Sequence, residues 1–281
     1  MLRPALLTLV CACGANHAAP SVTQTPSPFA LKLPDGAPFV TVGERMSYQL
    51  ALGELELATY DVAVGDITEI AGKRAVVVQS HAKAVGIVKA VANIDDTFTS
   101  WIDVTSGRPL RWMVDEFATK SDDKERTEAR MFERTGNSVP MDFHLNDEPP
   151  KPEPQTVSLP DTWDYNAFVI ALRGWEAPPQ TSITAEVLRS RYLWNVKMTI
   201  HGREKINTEL GEFPALRIDG HTYKLGRDGK RFPDTDERDF SIWISDDADR
   251  VPLSTVARTD YGDIKMMIVE YTPGTGERLR K

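Results

Sequence analysis

From Pro38 onward the apolar residues recur at every second position, the period of a half-buried β-strand. Met46, Tyr48, Leu50 and Leu52 alternate with Arg45, Ser47, Gln49 and Ala51, and Gly53-Glu54 breaks the run. Alternation resumes at Ala58, Tyr60, Val62 and Val64, after Leu55 and Leu57 on the opposite parity. That slip predicts a turn at Gly53 and a bulge near Ala58. Val76 and Val78 form the next strand, and Phe98, Ser100, Ile102 and Val104 the one after it. Ser106-Gly107-Arg108-Pro109 is a turn, with Leu110 to Phe117 as the hairpin partner. Lys124 to Phe132 has charges on one parity and no apolar stripe of helical period, so a strand is preferred over a charged helix.

Asn146 to Thr156 reads NDEPPKPEPQT. Proline lacks a ladder donor and the charges resist burial, so an exposed loop is expected, with no part in a sheet. The one good helix follows, at about 161–173. Trp163, Ala167, Ile170 and Ala171 share one face, Asp161 is the expected cap, and Gly174 stands at C′. Such a helix is too short to be stable alone and must pack on the sheet. Strands return with Trp194, Val196, Met198 and Ile200, with 203–208 and 213–218 around Gly211, and with Phe240, Ile242 and Ile244. Val251, Leu253 and Thr255, then Ile264, Met266 and Ile268, close the series.

About a dozen strands joined by short turns require antiparallel neighbours, and a sheet of that size curls or closes. The expected fold is therefore mainly β: a single antiparallel β-barrel or strongly curved sheet with one short packed helix. The 281 residues are 41% hydrophobic and 26% charged, with net charge −8. This is a globular composition. The acidic balance excludes a general nucleic-acid binder and broad electrostatic docking on anionic lipid.

The two cysteines, Cys11 and Cys13, both lie in the first thirteen residues. Arg3 precedes a short apolar run, the layout of an export signal, well short of the roughly 18 apolar residues that span a bilayer. Val10-Cys11-Ala12-Cys13 resembles a bacterial lipobox, in which the last Cys is acylated and becomes the mature N-terminus. The twelve residues before Cys13 are short for such a signal. This reading makes 1–12 a lipoprotein signal peptide and Cys13 the lipid anchor. Residues 13–37, rich in Ala, Pro, Ser and Thr, become a flexible tether. A β-rich domain follows over 38–273, and 274–281 is a tail. The expected location is the cell envelope, facing the periplasm from the outer membrane.

Several segments in order resemble a bacterial domain-of-unknown-function family, number 3108. They are Pro38-Phe39 with Gly43 to Tyr48; Asp95-Asp96, Asp103 and Arg108-Pro109; and Asp164-Tyr165. Gly202 to Ile206 with Gly211 to Phe213, then Ile242 to Asp247 with Arg250-Val251-Pro252, complete the set. The resemblance covers about 38–273 and implies exported envelope proteins, often lipoproteins, with a β-rich fold. It carries over no catalytic residue.

Chemistry-bearing patterns are sparse. His81, His144, His201 and His221 are scattered, and Asp142-Phe143-His144 reads as a surface strand end. The acidic runs at 234–239 and 246–249 lack the calcium-loop pattern and read as solvated turns. There is no GxSxG, P-loop or GxGxxG. No cofactor and no metal are expected. Arg203, Glu204 and Lys205 place two cations on one strand face and the acid on the other. One of them is expected to turn inward and meet Asp103 or Asp247. Among the tryptophans, Trp163, Trp175, Trp194 and Trp243 are the candidates to line a ligand groove or barrel mouth.

Three functions are compatible with these readings. The first is an anchored module that binds or carries an amphiphilic lipid or glycan, which calls for an apolar interior cavity. The second is a structural or assembly factor without a small ligand. The third is a hydrolase or lyase acting on an envelope polymer, which calls for two carboxylates, such as Asp103 and Asp247, about 5–10 Å apart across one cleft. The balance lies toward a non-enzyme.

Overall fold

A computed structural model describes residues 32–90, 94–117, 123–233, 237–259 and 262–280. The strands are β1 (Arg45–Leu52), β2 (Leu55–Ile70), β3 (Lys73–Ala84), β4 (Asp95–Asp103), β5 (Pro109–Phe117) and β6 (Lys124–Arg130). Next come β7 (Ser138–Val139), β8 (Met141–Leu145), β9 (Lys151–Pro152), β10 (Gln155–Thr156) and β11 (Thr162–Asp164). The helix α1 (Tyr165–Arg173) follows, then β12 (Ser182–Arg189), β13 (Tyr192–Thr208) and β14 (Gly211–Leu225). The chain finishes with β15 (Arg238–Ser245), β16 (Pro252–Thr259) and β17 (Gly262–Thr272).

Fifteen of these strands form one sheet in the order β11-β12-β13-β14-β15-β16-β17-β1-β2-β3-β4-β5-β6-β8-β9. All neighbours are antiparallel except β11 with β12. The sheet is strongly curved and not closed: β11 and β9 are its edges, although β11 lies against β5. The alternating apolar positions predicted from period two supply most of the core. Val76, Val78 and Ile102 from one half of the sheet and Ile183, Met198, Ile200, Ile218 and Ile244 from the other share one core with α1. The helix fills the concavity.

The β1–β2 register shifts between Leu50 and Ala51, leaving Leu57 as the extra residue beside Ala58. This is the predicted bulge. Residues 124–130 are the predicted strand.

Three details differ from the sequence reading. The helix begins at Tyr165, capped by Asp164, whose side chain accepts from Ala167 N. Asp161 instead pairs with Arg108 at 2.9 Å. Gly174 has φ −92°, an ordinary right-handed conformation, not the left-handed one of a C′ glycine. Within 146–156, β9 does join the sheet, with Pro152 opposite Asp142. Its place on the edge explains the tolerance, since a missing donor there costs no ladder bond.

The expected signal and anchor at residues 1–13 lie outside the described residues, as does most of the expected tether. Of the tether's last part, Leu33 is buried in the core. The tail is strapped to residues 40–42. Val42 N donates to Glu277 O, Gly276 N to Val42 O and Leu279 N to Val40 O.

Candidate functional site

The two ends of α1 organise the polar groups inside the sheet. At nine residues the helix depends on its surroundings. At its C-terminal end Arg173, only 2% exposed, grips the equally buried Glu44. Nη1 donates to Oε2 at 3.0 Å and Nη2 to Oε1 at 2.6 Å. Its remaining donors reach Arg250 O and Asp249 O, and Tyr271 Oη donates to Glu44 at 3.2 Å. This satisfaction is what permits a charge pair at such depth.

Arg250 completes the same end. The β15–β16 turn is stapled by Asp247, whose Oδ1 accepts from Ser245 Oγ, Asp249 N and Arg250 N at 2.8–3.0 Å. The turn places Arg250 at φ +51°. From there Nε donates to Arg173 O at 2.9 Å and Nη2 to Trp175 O at 3.4 Å. Arginine thus covers the helix's last carbonyl and one just beyond it, the favoured sign of charge at that end.

An open cleft of about 440 Å³ lies outside this network. Its walls include Lys32, Phe39, Trp175, Glu176, Arg250 and Arg280, with Arg173 at its floor. Arg280 comes from the strapped tail and rests against Gly174. A Cβ at that position would stand 2.6 Å from Nη1.

At the N-terminal end the groups are neutral donors. Asp164, fully buried, accepts from Ser100 Oγ at 2.7 Å and Ala167 N at 2.8 Å. Its Oδ2 has no partner. Burial without a cation pushes its carboxyl up to about 7. Beside it Tyr60 Oη donates to Ser80 Oγ, which donates to Asn166 Oδ1, both at 2.8 Å. Burial raises the Tyr60 hydroxyl. Asn166 Nδ2 donates to Val78 O and Phe98 O. An apolar notch of about 40 Å³ opens beside this chain, walled by Met46, Tyr48, Tyr60, Val169, Ile242 and Met266.

The structure scatters the candidate residues. Trp163 is buried beneath Arg108, whose Cζ lies 4.3 Å from its ring centre. Trp194 packs half-buried on the core. Trp243 donates from Nε1 to Glu204 at 2.5 Å. Of the four, only Trp175 reaches the cleft.

Asp103 and Asp247 do not meet. Asp103 Oδ1 accepts from Thr105 N and Ser106 N, so each acid builds its own turn. Arg203 pairs outward with Asp246 at 2.7 Å. Glu204 is the half-buried member, 3.8 Å from Arg217. No carboxylate pair faces a common cleft among these groups. Among the described residues no cluster of three His, Cys, Asp or Glu could hold a metal.

Sequence reasoning missed Glu44, Arg173, Arg250, Arg280 and Lys32. The available signal was faint: Glu44 and Arg250 both stand inside segments that carried the family resemblance, each beside the start of a strand.

A family model described as a protein of unknown function, DUF3108, matches residues 46–269. The chain belongs to the DUF3108 family. That span includes both ends of α1 and the Arg250 turn, and leaves Lys32, Glu44 and Arg280 outside it. No curated protein matches the chain. Among solved structures, a β-barrel-like protein of the DUF1849 domain from Brucella abortus is similar at TM-score 0.48 and 8% identity, covering 84% of this chain and 99% of that one. A candidate lipoprotein from Parabacteroides distasonis gives 0.40 at 7%, covering 85% and 100%. A candidate exported protein with a YmcC-like fold from Bacteroides fragilis gives 0.39 at 7%, covering 84% and 99%.

Proposed function

We propose that this protein is an envelope-anchored binding module that receives an amphiphilic ligand at the cleft beside the α1 C-terminus, not in its interior. The observation that carries the reading is the contrast in volume. The open cleft measures about 440 Å³, against about 40 Å³ for the apolar notch inside. The notch holds no more than a few waters at roughly 10–15 Å³ each. A carried lipid or glycan therefore has no room within the sheet.

Arg173 lines both spaces, so a polar group in the cleft and an apolar group at the notch would meet at one residue. The resemblance of Val10 to Cys13 to a lipobox supports a lipid anchor at the envelope, and the outer membrane, facing the periplasm, is the proposed place. The small interior equally suits an assembly factor without a small ligand. The hydrolase reading loses its basis, since Asp103 and Asp247 are committed to separate turns.

Native mass spectrometry of the protein extracted from its own membrane tests this. The expected result is an acylated chain with a bound lipid or glycan mass. Recovery with a partner protein and no small ligand would favour the assembly role instead.

A further inference from the structure

We propose that the cleft binds the phosphate of an anionic phospholipid in the membrane that holds the chain's own anchor, with Arg280 as the principal contact. This rests on the reading of the cleft as the ligand site and of Cys13 as acylated.

The first support is the state of the cations. Lys32, Arg173, Arg250 and Arg280 line the cleft against one carboxylate, Glu176. Arg173 is committed to Glu44 and backbone carbonyls. Arg250 is committed to Asp246 and the carbonyls of Arg173 and Trp175. Lys32 bonds Asp35 at the exposed rim. Among the described residues, nothing engages the half-buried guanidinium of Arg280. A guanidinium offers a planar fork that matches two phosphate oxygens.

A second support is an unmet donor: Trp175, in the cleft wall, has its buried Nε1 without an acceptor. Of the helix carbonyls that would repel an anion, Arg173 O is covered by Arg250, and Ala171 O and Leu172 O by the backbone N–H groups of Gly174 and Trp175.

The third support is placement. Lys32 and Pro34 line the cleft, and they are where the chain from Cys13 arrives. Eighteen residues separate Cys13 from Lys32, a reach of at most about 65 Å when fully extended. An acyl chain would thus hold this end of the body near one membrane and raise the local concentration of its headgroups. The full chain carries net charge −8, so anionic lipid repels it over most of its surface. Binding must then be local, through this end.

The test is vesicle co-sedimentation of the full chain carrying Cys13→Ser, so that acylation cannot supply the binding. Vesicles of phosphatidylcholine alone are compared with phosphatidylcholine mixed with phosphatidylglycerol. Binding to the mixed vesicles only is expected. Arg280→Gln should weaken it about fivefold, the factor one basic residue contributes at an anionic surface. Gly174→Ala keeps every charge but displaces Arg280, and should weaken binding comparably. Lys230→Gln, at the other end of the sheet by register, should leave it unchanged.

Equal losses for Arg280→Gln and Lys230→Gln, or no preference for phosphatidylglycerol, would overturn the proposal. Displacement by inorganic phosphate, where chloride of equal ionic strength does not displace, would assign the cleft to free phosphate and overturn the lipid source. Acylated native chain combined with a silent Arg280→Gln would sink the phosphate contact through Arg280 while leaving the anchored-module reading intact. Native chain without an acyl group would remove the anchor and, with it, the stated membrane.

Discussion

The two ends of α1 bury the same kind of group and treat it in opposite ways. At the C-terminal end Glu44 has a guanidinium fork, a phenol and a packed strap around it. At the N-terminal end Asp164 has a hydroxyl and a backbone N–H, with one oxygen unpartnered. A buried carboxylate is costly in either place. One end offsets the cost with a cation, and the other lets the acid hold its proton near neutral pH. The C-terminal end is thus a charged lock, and the N-terminal end a titratable cap.

The largest effect should come from breaking the lock. Arg173→Met leaves Glu44 buried without its cation and should destabilise the fold by about 3–5 kcal/mol in urea denaturation. Adding Glu44→Gln should restore most of that. A loss below about 1 kcal/mol would show that water reaches the pair and that the lock is ordinary surface chemistry.

Next in size is the strap that holds Arg280 in place. A Cβ on Gly274 would meet Val42 O at 2.6 Å and Thr41 O at 2.7 Å, both backbone atoms that cannot yield cheaply. Gly274→Ala should therefore cost about 1–3 kcal/mol, typical of overpacking, measured by thermal unfolding.

The cap comes third. Asp164→Ala removes the acceptor for Ala167 N and should cost about 1 kcal/mol. Its pH dependence gives a sharper reading. The folded carboxyl sits at about 7, above its ordinary 3.8, so the folded state binds the extra proton between those values. The stability contributed by Asp164 is therefore complete below about 4 and is lost as pH rises through 7. Wild-type stability should fall relative to Asp164→Asn across that window, and parallel profiles would show that the acid is ionised throughout.

The smallest effect is expected of Arg280→Gln, within about 0.5 kcal/mol in stability. A larger loss would make Arg280 part of the lock, so that its effect on vesicles would no longer report ligand contact.

Much of the fold was legible along the chain. Period two located the strands and even the bulge at Leu57, because alternation is a local consequence of one face being dry. The helix was legible too, although Asp161 and Asp164 compete for the cap by sequence. Which one wins depends on Arg108, which holds Asp161 from a distant turn. The cleft was illegible: Lys32, Phe39, Arg173, Trp175, Arg250 and Arg280 come from four separate stretches with no shared spacing. The tryptophans misled for a related reason. Indole size marks burial readily, and three of the four found neighbours that leave no groove.

By itself, then, the sequence determined the strand periodicity, the bulge beside Ala58 and the single helix, all of which follow from local pattern. Only the tertiary structure decided that the sheet stays open around its helix. It also decided that Asp103 and Asp247 serve turns rather than each other, and that the first and last described segments meet at one cleft. The open sheet around its helix and the meeting at the cleft depend on contacts between residues more than a hundred positions apart, such as Arg173 with Glu44. Their energies come from burial and charge compensation that no short window of sequence contains.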